Sequence, residues 1–257
     1  MKREILYQVD DVTLNFKVGD HNVTAIQKGS IFIPKGEITI IFGPSGSGKS
    51  SLLNILSGLQ KPTSGIMKYK SENIYANNQD ELAHYRAHEL GIIYQTNYWV
   101  RSLDVLDNVA LPLYFLGSSR AEAHKKASHA LQRVNMQSYA HKYPYLLSGG
   151  EQQRIAFARA IVDDAPVIIA DEPTGNLDSK NGDRVIELFA EFQQNEGKTI
   201  ILVTHNLEYL PIAQHLIQIQ DGIMTQIEHK DISPTVKQLL SDVQNRISTL
   251  AAKGAKK

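Results

Sequence analysis

The chain has 257 residues, 42% of them hydrophobic, with 27 lysines and arginines balanced by 27 aspartates and glutamates. That is enough apolar content for a substantial core, and the length fits one large or two modest globular domains. The charge balance excludes the overall basic excess of a general nucleic-acid binder, and the absence of cysteine excludes disulfides, thiol catalysis and thiolate metal sites. Met1-Lys2-Arg3-Glu4-Ile5 is not followed by the apolar run of a secretion signal, and no stretch approaches the roughly 18 apolar residues of a membrane span. A cytoplasmic protein is the expectation.

Residues 5 to 42 alternate apolar and polar positions between the turn signals Val18-Gly19-Asp20 and Pro34-Lys35-Gly36, the pattern of strands and hairpins. Phe16 sits in such a strand, either as a core residue or as an aromatic placed to stack on a nucleotide base. The apolar run Ile38-Thr39-Ile40-Ile41-Phe42 then leads into Gly43-Pro44-Ser45-Gly46-Ser47-Gly48-Lys49-Ser50, followed by Leu52-Leu53-Asn54-Ile55-Leu56. This reads as strand, phosphate loop, helix. Small residues let backbone N–H groups approach a phosphate chain, Lys49 reaches the β and γ phosphates, and the Ser50 hydroxyl is held for Mg²⁺. The helix that follows points its positive end at the same anion. It ends near Gly58, and Lys61-Pro62-Thr63-Ser64-Gly65 turns the chain into a hairpin expected from Ile66 to Tyr75.

A polar helix is expected from Gln79 to Glu89, before the short apolar strand Gly91-Ile92-Ile93-Tyr94-Gln95, which ends in an amide. From there to about Asp164 the pattern is helical. Ser119-Arg120-Ala121-Glu122 has capping-box spacing, and Ala123, Ala127, Ala130, Leu131 and Val134 then share one face. In Leu147-Ser148-Gly149-Gly150-Glu151-Gln152-Gln153-Arg154, Ser148 and Glu151 have that spacing again. The stretch is either a well-capped helix or a second anion site whose two glycines let bare backbone approach something closely.

Pro166-Val167-Ile168-Ile169-Ala170-Asp171-Glu172 is too short for a helix and reads as a parallel strand buried on both faces. In an open α/β sheet the ligand crevice lies at the carboxyl ends of the strands, which places Asp171 and Glu172 beside the phosphate loop. Asp171 for Mg²⁺ and Glu172 as base for a water is the economical assignment; a plain turn is the alternative. Lys198 to His205 repeats the design with a histidine at the strand end, structural or in reach of a γ-phosphate. Leu216 to Ile227 forms a hairpin about Asp221-Gly222. After Pro234, the apolar Val236, Leu239, Leu240, Val243, Ile247 and Leu250 share a helical face, and the chain ends in the basic Lys253-Gly254-Ala255-Lys256-Lys257. That tail helix either packs on its own domain or meets a partner.

With these motifs in this order, residues 3 to 228 resemble the nucleotide-binding subunit of an ATP-binding cassette (ABC) transporter. The resemblance implies an α/β P-loop NTPase of the RecA-like kind: a parallel sheet core, an N-terminal antiparallel β subdomain and a helical subdomain inserted at about 96–164. The ATPase domain would span 1–228, with 229–257 as an amphipathic helix and basic tail. In the family's terms Phe16 looks like the adenine-stacking aromatic, usually Tyr, and Gly43 to Ser50 with Ser51 like the ATP-holding loop. Ser50, Gln95 and Asp171 look like the Mg²⁺ set, and Lys49, Glu172 and His205 like the catalytic groups. Ser148, Gly149 and Gly150 look like the signature that closes over the ATP of a second copy, and Asp178 like the aspartate linking the two sites.

Asp171-Glu172-Pro173-Thr174-Gly175-Asn176-Leu177-Asp178 and Asn108-Val109-Ala110-Leu111-Pro112-Leu113 look like the branch containing lipoprotein-release, macrolide-export and cell-division ATPase subunits. Thr96-Asn97-Tyr98-Trp99-Val100 departs from the Phe-Asn-Leu type of sequence expected after the glutamine. The resemblance implies ATP and Mg²⁺ as cofactors, a self-dimer, an integral membrane partner, no nucleic acid, and a place on the cytoplasmic face of the inner membrane. Two rival readings are a soluble cassette ATPase acting on nucleic acid or the ribosome, and a nucleotide-gated module with little turnover. The first generally carries a long coiled-coil insertion or tandem cassettes, whereas only residues 96–147 separate Gln95 from Ser148; the presence of both Glu172 and His205 argues against the second.

Overall fold

The computed structural model describes residues 3–227, 231–239 and 241. The chain opens with two long strands, β1 (Ile5–Val18) and β2 (His21–Pro34), paired antiparallel. β3 (Ile38–Phe42) leaves them and enters a second sheet. After helix α1 (Lys49–Leu56), the strands β4 (Ser64–Tyr69) and β5 (Glu72–Asn73) return to the first sheet, whose order is β2-β1-β4-β5. The expected hairpin to Tyr75 stops short. The Asn73 side chain accepts from Tyr75 N–H at 3.1 Å and starts a 3₁₀ turn at Ile74–Ala76, so the backbone donor is taken from the ladder.

The second sheet takes up β6 (Leu90–Ile93), β7 (Val167–Asp171), β8 (Thr199–Thr204), β9 (His215–Gln220) and β10 (Ile223–Ile227) in the order β10-β9-β3-β8-β7-β6. All its pairings are parallel except β10 with β9. The hairpin between those two turns on Asp221 and Gly222, both at positive φ of 51° and 78°, the geometry a two-residue Asp-Gly loop favours. The two sheets meet where Gln27 N–H donates to Gly222 O and Phe32 N–H to the Gln226 amide oxygen.

The central strands are apolar throughout because each buries both faces. Ile38, Ile40 and Phe42 of β3, Ile168 and Ala170 of β7, and Ile200 and Leu202 of β8 face one side. There they pack with residues of α3 (Val105–Phe115), α4 (Arg120–Arg133), α5 (Gly149–Ala160) and α6 (Ser179–Glu196). The intervening Ile41, Val167, Ile169, Ile201 and Val203 face α1 and the first sheet. This is the period-2 alternation of a strand with core on both sides.

Helix α2 spans Gln79–Glu89 as expected, started by a full Asn78–Glu81 capping box. Residues 96–104 are irregular, contrary to the helical expectation for that stretch. The buried Asn108 side chain bonds Val100, Leu103 and Asp104 there, and the Asp104 carboxylate caps α3 from Asp107 N–H. On α4 the expected face of Ala123, Ala127, Ala130 and Leu131 is buried, with Val134 just beyond its end. Its capping box is half made: Ser119 accepts from Glu122 N–H without the return bond. Residues 231–239 are helical, starting before Pro234 rather than after it; proline is tolerated in a first turn because those N–H groups lack intrahelical partners. Ile232 and Val236 are buried and Leu239 is partly buried against the α3–α6 side of the core. The described part of the tail therefore packs on its own domain. Leu240, Val243, Ile247, Leu250 and the basic end lie outside the described residues. Among the described residues no helix is long and apolar enough to cross a membrane.

Candidate nucleotide site

β3 delivers the chain to a loop that only glycine can form at two points. Gly43 has φ 153° and a Cβ there would lie 1.9 Å from Ile219 O; Gly48 has φ 109° and its Cβ would lie 2.4 Å from Ala25 O. The loop is thus threaded between β9 and β2. Gly48 is the N-cap of α1 and provides no side-chain cap, which leaves the first N–H groups of that helix free for an anion. The Lys49 side chain is 7% exposed and curls over the loop, donating to Gly43 O at 3.0 Å and Pro44 O at 2.9 Å. Ser47 Oγ is buried with no partner, a donor and acceptor facing inward unused.

The carboxyl ends of the neighbouring strands bring the acidic pair and the histidine to the same place. Asp171 ends β7; its Oδ1 is buried without a partner. Burial pushes its carboxyl up from the ordinary value, a hydrogen bond from Ser50 opposes this, and the neighbouring Glu172 carboxylate adds to the rise. A buried carboxylate oxygen with no donor, beside a serine hydroxyl and with the Gln95 amide on the same cavity, is a hard oxygen set that fits a small divalent cation such as Mg²⁺. Glu172 follows at φ 48°, a left-handed conformation unusual for a glutamate, and its N–H is tied to Val203 O at 3.0 Å. This turn aims its carboxylate at His205, just past β8, with Oε2 2.6 Å from Nδ1.

These groups line one cavity of about 590 Å³. Its walls include Ser45, Gly46, Gly48, Lys49, Ser50, Ser51, Gln95, Asp171, Glu172 and His205, all expected at the site. Val23, Thr24 and Ala25 of β2 complete it, and no local motif marks them; they are strand residues brought to the loop where Gly48 packs against Ala25 O. Phe16 is not a core residue. It is 39% exposed and pairs across the ribbon with Val23, at the cavity's edge.

Ser148, Gly149, Gly150 and Asp178 do not line this cavity. Ser148 caps α5 in a complete box: Ser148 N–H donates to Glu151 Oε2 at 2.8 Å and Glu151 N–H to Ser148 Oγ at 3.4 Å. The close approach the glycines allow is to α6: a Cβ on Gly150 would fall 2.7 Å from Asn181 Cγ. Asn181 in turn gives its N–H and its Nδ2 to the two Asp178 oxygens, at 3.0 and 2.7 Å, which holds that carboxyl below its ordinary range. Ser148 to Gly150 and Asp178 therefore form a second cluster, in which Ser148 and Gly149 are exposed.

The ABC transporter family model matches residues 26–175. The chain is 36% identical to the lipoprotein-releasing system ATP-binding protein LolD of Buchnera aphidicola, over 86% of this chain and 97% of that one. It is 35% identical to the macrolide export ATP-binding/permease protein MacB of a Shewanella species over 94% of its own length, but spans only 37% of MacB. Among solved structures, the dimeric cassette MJ0796 superposes with a TM-score of 0.81 at 34% identity, covering 87% of this chain and 99% of that one. The same cassette is known in a dimeric post-hydrolysis state bound to ADP and Pi, with the same superposition; MJ0796 is an ABC transporter ATP-binding protein of Methanocaldococcus jannaschii. Phosphate loop, acidic strand end and histidine meeting in one cavity, and similarity at this level over most of its length, mean that the chain belongs to the ABC transporter family, as an ATP-hydrolysing cassette subunit.

Proposed function

We propose that two copies of this chain close on ATP to form two composite sites, and that their opening and closing drives a separate integral membrane subunit. The observation that carries this reading is the division of the motifs: the loop, Asp171, Glu172 and His205 share one cavity, while Ser148 and Gly149 stand exposed outside it. Each site lacks a cover of its own, and a second copy supplies one. The dimers of MJ0796 support the pairing.

In each site the loop N–H groups, the start of α1 and Lys49 bind the phosphates and stabilise charge as the γ-phosphoryl leaves. Glu172 orients a water and takes its proton; His205, oriented by Glu172 Oε2, contacts the γ-phosphate. Phe16, at the rim, stacks on the adenine. Ser50, Gln95 and Asp171 are the residues that would hold Mg²⁺, which when bound neutralises charge on the β and γ phosphates. Ser148, Gly149 and Gly150 contact the γ-phosphate held by the other copy, and Asp178 links the two sites.

The similarity to LolD and MacB supports a role of this kind, in the branch of lipoprotein release and macrolide export, beside a membrane partner. The working location is the cytoplasmic face of the inner membrane, with residues 1–228 as the ATPase domain, 96–164 as its helical subdomain and 229–257 as a tail. Phosphate release measured across a range of protein concentrations tests the composite site. Specific activity that rises with concentration, and rises again when the membrane subunit is added, is the expected result; specific activity independent of concentration would overturn the reading.

A further inference from the structure

Trp99 lies in the irregular segment after Gln95 and ties it to the start of α5. Its indole Nε1–H donates to Gln152 Oε1 at 2.8 Å, and the Arg159 guanidinium sits over its ring, 4.6 Å from the centroid. Gln152 and Arg159 are two turns apart on α5 and so share a face. Gln152 passes the contact on, donating Nε2–H to Leu147 O at 2.9 Å, the carbonyl directly before Ser148. Arg159 donates to Asn97 O at 2.6 Å, which fixes the other end of the segment. From the opposite side the buried Asn108 of α3 grips Val100 by both its N–H and its carbonyl, at 3.0 and 3.1 Å.

The chemistry of the pair is directional. An indole N–H is a donor only, so it can engage only the oxygen end of the Gln152 amide, and the NH₂ end is left facing Leu147 O. The Arg159 guanidinium takes the Trp99 ring face as its partner, a cation–π contact that holds the ring against α5. Trp99 is thus held by α3 and α5 together, and it sets which way one amide points.

We propose that Trp99 is a positioning residue for Ser148, Gly149 and Gly150: by orienting Gln152 it holds Leu147 O, and with it the start of α5, in the arrangement that meets the ATP of the second copy. The inference rests on the composite-site reading above. It makes the segment after Gln95 and the start of α5 a single unit, joined by Gln152 of the Leu147–Arg154 stretch to Trp99 and Arg159 outside it.

The test uses the full chain carrying Glu172→Gln, with ATP-driven dimerisation read by light scattering and ATP affinity of the monomer read by nucleotide titration. Trp99→Phe keeps an aromatic face for Arg159 while removing the donor. The expected result is an unchanged monomer affinity with about ten-fold weaker dimerisation, the scale of one hydrogen bond lost. Gln152→Leu should do the same, and the double variant should be no worse than either alone. Trp99 is the only tryptophan in the chain, so Gln152→Leu should also shift its emission to the blue without ATP. Ser148→Arg separates the two levels. If it blocks dimerisation while Trp99→Phe dimerises like the parent, the positioning role is overturned alone; if it too dimerises normally, the composite site falls and the positioning role falls with it. Unchanged emission in Gln152→Leu would likewise overturn the contact.

Discussion

Glu172 Oε2 stands 2.6 Å from His205 Nδ1, on a glutamate whose own backbone is held at φ 48° by the bond from its N–H to Val203 O. The carboxylate is aimed by its neighbours and not by its rotamer alone. Replacing Glu172 with Gln keeps the shape and removes the base. Turnover should fall by about 10²- to 10⁴-fold while ATP binding persists and closed dimers accumulate. Steady-state phosphate release with parallel light scattering checks this, and near-normal turnover would remove Glu172 from the role of base. His205→Ala should lower turnover as well, with nucleotide affinity changed far less.

Gly48 carries the loop past β2 with Ala25 O where a Cβ would stand. In Gly48→Ala the new methyl meets a backbone atom at 2.4 Å in a φ region alanine avoids. The loop must shift, at a cost of about 1–3 kcal/mol. Both the denaturant midpoint and ATP affinity should drop. A variant with parental ATP affinity would mean that the phosphate loop tolerates the displacement.

Gly150 and Asp178 are connected through Asn181. Gly150→Ala should push the Asn181 side chain off Asp178 and lower turnover about ten-fold, the scale of one charged hydrogen bond lost, with monomer ATP binding within about two-fold of the parent. Asn181→Ala removes the same side-chain bond without a clash and should lower turnover by a similar factor, and the double variant should be no worse than either alone. Parental turnover in Asn181→Ala would mean that this contact is not the cause.

His215 is buried on β9 with Nε2 unpartnered, and burial, with Arg3 nearby, lowers its pKa from 6.5 to about 4. The folded state binds this proton less readily than the unfolded chain does. Stability from this group is therefore full above pH 6.5 and is lost as pH falls toward 4, roughly 2 kcal/mol by pH 4.5. Chemical denaturation at pH 7 and pH 5 should show a smaller drop for His215→Gln than for the parent. An equal drop would assign the acid sensitivity to the carboxylates.

The tertiary structure and the sequence divide the site between them along a physical line. Gly43 to Ser50, Asp171-Glu172 and His205 were legible because each is a short motif at the end of an apolar strand, and parallel strands align their carboxyl ends on one edge. The β1–β2 ribbon, helix α2 and the Asp221-Gly222 turn were legible for the same local reason, in the period of the apolar residues and in turn chemistry. Only the folded chain decided that Phe16 is exposed beside Val23, that residues 96–104 are irregular around Asn108, and that Gly150 meets Asn181. The Trp99–Gln152 bond belongs with these. Some of these contacts join distant parts of the chain, as Trp99 with Gln152, and others lie close in sequence, as Val100 with Asn108, but spacing carries no record of either: local propensity sets which elements form, whereas packing sets which side chains meet.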